Sequence, residues 1–524
     1  MSALDLDRAT RDIAAARRDF ESLAERAQAC ARRDLRSAAA LCQAAADLAW
    51  HNPTGQFCSD RLEALLLPDT DIGAVDATEP RRVLHVLTTA YPVGGHTRLA
   101  WRWIERDQGR QHSVALTRQG AEPIPSFLRA AVSARGGEVV AFDAQGEGLL
   151  ERARSLTQLA QGYDRVVLHI HPCDAVPLLA FAGPGRRPPV MLMNHADHVF
   201  WLGARVVDLV VNFRASGAAL CARRRGLDPA RSALLPLPID PAEARIERER
   251  ARRQLGLEPK QVMLLSMASA YKFSPLPELD FAEMLPDALA QRSDVSLLVV
   301  GPSEDDPRWA RAAARSGGRL KALGRQTDPE RYMAAADLYI DSFPFTSMTS
   351  VLEAVSAGSP SLSYYPERFD ADTLFADDPA LDPETTRARD WPAYLSLLSE
   401  RLDDGPGRRA LGAELGDAVR ALHGAGAVWQ ARLDAAYEAA ATSRRAAPST
   451  EAATPRCLDN DQLLSEIHRA AGIRLSLPRV KKSHMRLMSA GERARTFVGL
   501  KLRGQGVKLK YLKIEPPPEA RRES

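Results

Sequence analysis

The sequence predicts an α/β protein built of two Rossmann-like domains facing a cleft, with a helical N-terminal preface and a basic C-terminal extension. Three observations predict it: short apolar runs alternate with helical stretches in two successive sets, prolines separate the sets, and the texture changes at both ends. The chain of 524 residues is too long for one core, and about 100–200 residues per domain suggests about three units. Hydrophobic residues make up 45% and charged residues 26%, the balance of a chain that folds. A net charge of +3 with interspersed signs predicts no nucleic-acid partner.

Residues 1–75 form the preface. Ile13, Phe20 and Leu23 recur at helical spacing until Asn52-Pro53-Thr54-Gly55 stops the pattern, and a Thr/Asp-rich linker, Pro68 to Pro80, follows. The first Rossmann-like domain, 81–238, carries strand-like runs starting at Arg82, His112, Glu138, Arg165, Pro189 and Asp208. Pro236, Pro238 and Pro241 break the pattern. It restarts in the second domain, 239–440, with runs at Val262, Val295, Leu320, Asp337 and Pro360. Such alternation marks βαβ units on a parallel sheet. Residues 441–456 read as a linker, and 457–524 as the extension.

Parallel sheets bind ligands beyond the C-terminal ends of their strands, so functional residues are sought just after apolar runs. After the run at Arg82 comes AYPVGGHTRLA, where Gly94 and Gly95 free the backbone and His96 faces the cleft at a helix start. Imidazole can take a proton at neutral pH; a glycine turn with a histidine cap is the plain alternative. After the run at Val262 comes SMASAYKFSPL, whose Lys272 can sit on a diphosphate or be a solvated surface lysine. After DLYID a loop dense in Thr346, Ser347, Thr349 and Ser350 opens the helix VLEAV. Hydroxyls and unpaired amides at a helix start make an anion site, and Glu353 one turn on can accept the hydroxyls of a ribose. N-capping by Thr349 or Ser350 is compatible with that role.

From about residue 251 to 366 the chain resembles the O-GlcNAc transferase family and the bacterial cytoplasmic protein N-glucosyltransferases. The resemblance is carried by Tyr271-Lys272-x-x-Pro275, GRQTDPERYMAAADLYIDSFPF from Gly324, Thr349-Ser350-x-x-Glu353 and Ala357-Gly358-x-Pro360. It implies a GT-B fold and transfer of a hexosyl group from a nucleotide sugar, a UDP-sugar, and the acceptor expected is a protein or glycan. Inversion is expected, and no metal or other cofactor, because Lys272 and the hydroxyl loop neutralise the charge a cation would otherwise meet. Lys272 and the hydroxyl loop would hold the diphosphate, and Glu353, where the family usually has Asp, the ribose. His96 falls where these enzymes keep a histidine, as base or acceptor-positioning residue. In a GT-B arrangement the helical segment 407–440 returns to the first domain. Ser269 stands where the O-GlcNAc enzymes have glutamine, and no tetratricopeptide array precedes the domain, so the acceptor is not carried over. Retaining GT-B enzymes often carry a Glu-seven-residues-Glu motif; eight residues before Glu353 stands Phe345. The alternatives are a retaining enzyme of polysaccharide synthesis, a UDP-sugar epimerase of the same fold, and a non-catalytic sugar-nucleotide scaffold.

His195 and Asp197, with His198 and Trp201, follow the run at Pro189 and are expected to meet acceptor or sugar, with Asp197 the base in reserve. A metal is set aside for want of a third ligand at regular spacing. His169 and His171 read as structural histidines. Between Val480 and Lys513 ten Lys and Arg face only Glu492, and the alternation around Gly504-Gln505-Gly506 suggests a hairpin. This charge marks a solvated face, or a surface for anionic membrane or acidic glycan. The six cysteines show no paired spacing and read as buried thiols. Charges at the N-terminus and the lack of a long apolar stretch suggest a cytoplasmic protein, with the inner face of the membrane as a peripheral site.

Overall fold

The computed structural model describes residues 5–67, 80–92, 95–145, 148–183, 186–239, 246–366, 377–443, 455–475 and 480–502. Gly94, most of the 441–456 linker and the proposed hairpin turn lie outside them.

Asp5 and Asp34 cap the first two helices by accepting the Arg8 and Ser37 amides. These helices, Leu6–Ala31 and Leu35–His51, pack on each other. The second is buried continuously from Ser37 to Ala49, since it is wedged between the first helix and the sheet domain. It ends where Asn52 turns extended before Pro53, as the sequence predicts. The short helix Asp60–Ala64 supplies Glu63, whose buried carboxylate accepts the amides of Gly203, Ala204 and Arg205. Burial pushes this carboxyl up to about 7.

The first domain holds β1 (Arg82–Leu87), β2 (Gln111–Leu116), β3 (Val139–Ala141), β4 (Arg165–His169), β5 (Val190–Met193), β6 (Leu209–Asn212) and β7 (Ser232–Leu234). They pair in parallel in the order β3-β2-β1-β4-β5-β6-β7. The second holds β8 (Val262–Met267), β9 (Val295–Val300), β10 (Leu320–Ala322), β11 (Leu338–Ile340), β12 (Ser361–Tyr364) and β13 (Arg387–Ala388). Their order is β10-β9-β8-β11-β12-β13, again parallel. The strands β7 and β13 were not expected from the sequence.

In each sheet the strand order reverses once, between β1 and β4 and between β8 and β11. A crevice opens at such a reversal because the connections leave in opposite directions.

The domains share a core. One apolar cluster runs from Val83, Trp103 and Met191 of the first to Met263, Val351 and Leu415 of the second. The helix Gly405–His423 stays with the second domain, packed on Met348–Ser356. The next helix, Ala427–Thr442, returns to the first. There Trp103 Nε1 donates to the Tyr437 hydroxyl, which donates to Asp107, and Trp429 Nε1 donates to the Pro236 carbonyl.

The extension folds back onto this body. Leu463, Leu464 and Ile467 on the helix Asp459–Ala470 enter the core of the second domain, and Val480, Met485 and Met488 that of the first. The hairpin expectation is corrected over its first arm: Ala490–Leu502 is helical, because Phe497 and Leu500, three residues apart, bury on one helical face. Part of the basic run is structural, since Lys481 pairs with Asp47 at 2.6 Å and the buried Arg493 donates to the Met485 and Met488 carbonyls. Five cysteines are buried and Cys457 is exposed, against expectation.

Ile467 is 0% exposed, so Ile467→Ala is expected to cost about 2–5 kcal/mol of stability by chemical denaturation. A loss within about 0.5 kcal/mol would mean a solvated appendage instead.

Candidate functional site

At the reversal of the second sheet, β8 runs into a single 3-10 turn, Ala270–Phe273, that carries Lys272. The Lys272 ammonium donates to the Thr346 carbonyl at 2.8 Å and lies 4.9 Å over the Phe345 ring. Burial pulls its pKa below the usual lysine range, while the nearby Asp341 carboxylate opposes the shift. Asp341 ends the neighbouring strand and is itself buried, which pushes its carboxyl up. Its Oδ1 accepts the amides of Ser342 and Ser347 at 2.7 and 2.9 Å, pinning both ends of the hydroxyl loop.

The loop's helix spans Met348–Ser356 with Ser347 at its cap, and no side chain caps its first amides. The capping alternative is therefore corrected: Thr349 and Ser350 lie inside the first turn. The Ser347 hydroxyl donates to the Met267 carbonyl, tying the loop to the end of β8. Ser350 lies against the phenol of Tyr339, and Thr349 is half-buried. First-turn amides without an acceptor, beside a lysine, suit an anion.

At the reversal of the first sheet, Gly95 opens the helix Gly95–Arg106 and His96 follows. His96 Nε2 lies 2.9 Å from the Thr89 carbonyl. A carbonyl can only accept, so Nε2 carries the proton and Nδ1 the lone pair. Burial lowers the pKa of His96 and keeps the ring neutral. Its ring centroid lies 5.7 Å from that of His195 and 5.4 Å from that of His171. Burial, reinforced by His96, lowers His195 to about 4. His171, read as structural from the sequence, thus belongs to the same cluster as His96; His169 instead hydrogen-bonds to His85 within the sheet, 3.0 Å away.

Asp197 does not stand ready as a base. Its carboxylate is buried and grips Arg214 through both oxygens at 2.6 and 2.8 Å, and that guanidinium and His198 outweigh burial to hold it well below the usual carboxylate range. Among the described residues no three or more His, Cys, Asp or Glu gather so as to hold a metal ion.

Two contacts between the domains bear on the candidate site. Phe345 of the second domain packs on His198 of the first at 5.4 Å between ring centroids. Glu353 accepts a hydrogen bond from Arg102 of the His96 helix at 2.7 Å, both side chains being largely buried. Asp341 and Arg102 were not singled out in the sequence. An acid closing a strand before a hydroxyl loop is a signal for the first, whereas Arg102 has no local one, its partner lying 251 residues away.

No family model and no curated protein matches the sequence. Solved structures do match. The structure of Anabaena Alr3699/HepE in complex with UDP is 15% identical and aligns over 68% of this chain and 99% of its own, with a TM-score of 0.52. A glycosyltransferase from Rickettsia africae is 11% identical over 69% of this chain and 100% of its own, at 0.52. The Thermobaculum terrenum O-GlcNAc transferase is 16% identical over 78% of each chain, at 0.50. The chain has the GT-B fold. Lys272 and His96 each follow the strand at the reversal point of their own sheet. Among the described residues no helix is long and apolar enough to cross a membrane.

Arg214→Met would leave Asp197 as a buried charge without its partner. The expected cost is about 3–5 kcal/mol in denaturant melts; a loss under about 1 kcal/mol would be that of an exposed pair.

Proposed function

We propose that the chain is a glycosyltransferase that moves a hexosyl group from a UDP-sugar to a protein or glycan acceptor, with inversion and without a metal. The observation that carries this reading is that a buried lysine and uncapped helix amides stand at the strand-order reversal of one sheet, and a neutral histidine whose Nδ1 can accept stands at that of the other. HepE has been solved with UDP, with UDP and glucose, and with UDP-glucose, which supports the same donor class here.

Lys272, the first-turn amides from Met348 onward and the hydroxyls of Thr349 and Ser350 receive the diphosphate, while Ser347, whose amide and hydroxyl are held by Asp341 and the Met267 carbonyl, fixes the loop around it. A carboxylate offers about four lone-pair sites, so Glu353, held by Arg102, can still accept from the ribose hydroxyls. The acceptor oxygen attacks the anomeric carbon as the bond from that carbon to the diphosphate oxygen breaks. Its electron pair stays on the diphosphate, whose growing charge Lys272 offsets. The acceptor proton passes to His96 Nδ1. His195 and Gly95 line the acceptor side of this reaction, with Gly94 adjoining in sequence. The absence of a glutamate at Phe345 supports inversion over retention, and nothing in the cleft favours the epimerase or scaffold readings.

The first test is a thermal-shift screen: UDP should stabilise the protein where GDP, ADP and CMP do not. Equal response to all four, or to none, overturns the donor assignment. Lys272→Ala should abolish turnover and weaken UDP binding with the fold intact. In the parent protein the ammonium is charged only below its lowered pKa, so UDP affinity should be full at low pH and fall as pH rises, before an ordinary lysine titrates at about 10.4. Affinity flat across that range would remove Lys272 from the diphosphate.

His96→Ala should keep UDP affinity within a few-fold and lower transfer about 10²- to 10⁴-fold. If transfer survives and UDP binding falls instead, His96 is a binding residue.

A further inference from the structure

A second cavity of about 310 Å³ opens beside the His96 cluster, between the helix Leu35–His51, the ends of β1, β2 and β4, and the helix Lys482–Leu487. Its lining includes Arg36, Arg118, Arg152 and Arg486 and one carboxylate, Asp174. That carboxylate is already satisfied: Oδ2 accepts from the Thr88 and Thr117 hydroxyls and Oδ1 from the Val176 amide at 3.0 Å. Arg36 and Arg152 donate to the carbonyls of Leu487 and Thr117, which orient them. The guanidinium groups of Arg118 and Arg486 make no hydrogen bond or ion pair among the described residues. Two guanidinium groups without a hydrogen bond or ion pair among the described residues thus line a recess whose carboxylate, Asp174, is already satisfied, an arrangement that attracts an anion.

The cavity adjoins the site through two residues. The Thr88 hydroxyl faces Asp174 and also accepts the His171 amide at 2.8 Å. The Thr89 carbonyl takes the His96 Nε2 proton, and its hydroxyl donates to the Arg118 carbonyl at 2.7 Å. Resting on the transferase reading, we propose that this cavity binds a compact anionic group of the acceptor, a phosphate or carboxylate, through Arg118 and Arg486, so that a neighbouring hydroxyl reaches His96. The acceptor is then an acidic sugar or a phosphorylated head group rather than a neutral glycan. The fold-back of the C-terminal extension completes the subsite, since Arg486 comes from it.

Calorimetric titration of the full chain with inorganic phosphate, glucose 6-phosphate, glucuronate and glucose tests this, alongside co-sedimentation with phosphatidylglycerol and phosphatidylcholine vesicles. Glucose 6-phosphate or glucuronate should bind and glucose should not. Arg118→Gln and Arg486→Gln should each weaken that binding about tenfold or more while UDP affinity stays unchanged. Binding confined to phosphatidylglycerol vesicles, and lost in both variants, supports the same subsite with a lipid-borne phosphate as its source. Anion binding that survives both substitutions, or no anion binding in any arm, overturns the proposal. Failure of UDP to bind while the anion binds sinks the donor reading and leaves the anion site standing.

Discussion

The buried ion pair between Arg102 and Glu353 sets the geometry on which the candidate site depends. It joins the helix that begins at His96 to the helix that begins at the hydroxyl loop, 2.7 Å apart at the charged atoms. Neither charge can leave without stranding the other away from water, so the pair resists opening even where its net contribution to stability is small. Around it, Arg106 donates to the Ile239 and His423 carbonyls, and Trp103 joins the Tyr437–Asp107 chain. One face of a single helix thus clamps the second domain while its first turn carries the imidazole.

Burial lowers the pKa of the basic groups on both sides of the cleft, but their neighbours differ. On the donor side it strips Lys272 of water and lowers its pKa, but Asp341 keeps a carboxylate close enough to oppose that shift. Placing an anion beside the lysine would favour its charged form still further. On the acceptor side burial lowers His96, His171 and His195 together, and His96 further disfavours charge on the other two. An imidazole kept neutral can accept a proton, and a lysine with a carboxylate close by can retain one. The cavity beyond Thr88 differs again, because its cations face a recess wide enough for another molecule.

The sequence by itself determined what depends on near neighbours. Eleven of the strands answer to apolar runs of the expected length, and helix ends fall at Asn52 and at residues such as Asp5 and Asp34 whose side chains reach amides three residues on. The loops after β1, β8 and β11 were legible for the same reason: glycines, a lysine and hydroxyls directly following an apolar run carry their position with them. The resemblance in the second domain rested on such contiguous stretches. What only the tertiary structure decided involves partners distant in the chain. The order of the strands puts Lys272 and His96 at reversal points. Arg102 finds Glu353, His171 joins His96, Asp197 is taken up by Arg214, and residues 459–502 fold back into both cores. No local pattern encodes these pairings, because a side chain's partner across a cleft is chosen by packing and desolvation of the assembled domains rather than by the residues beside it.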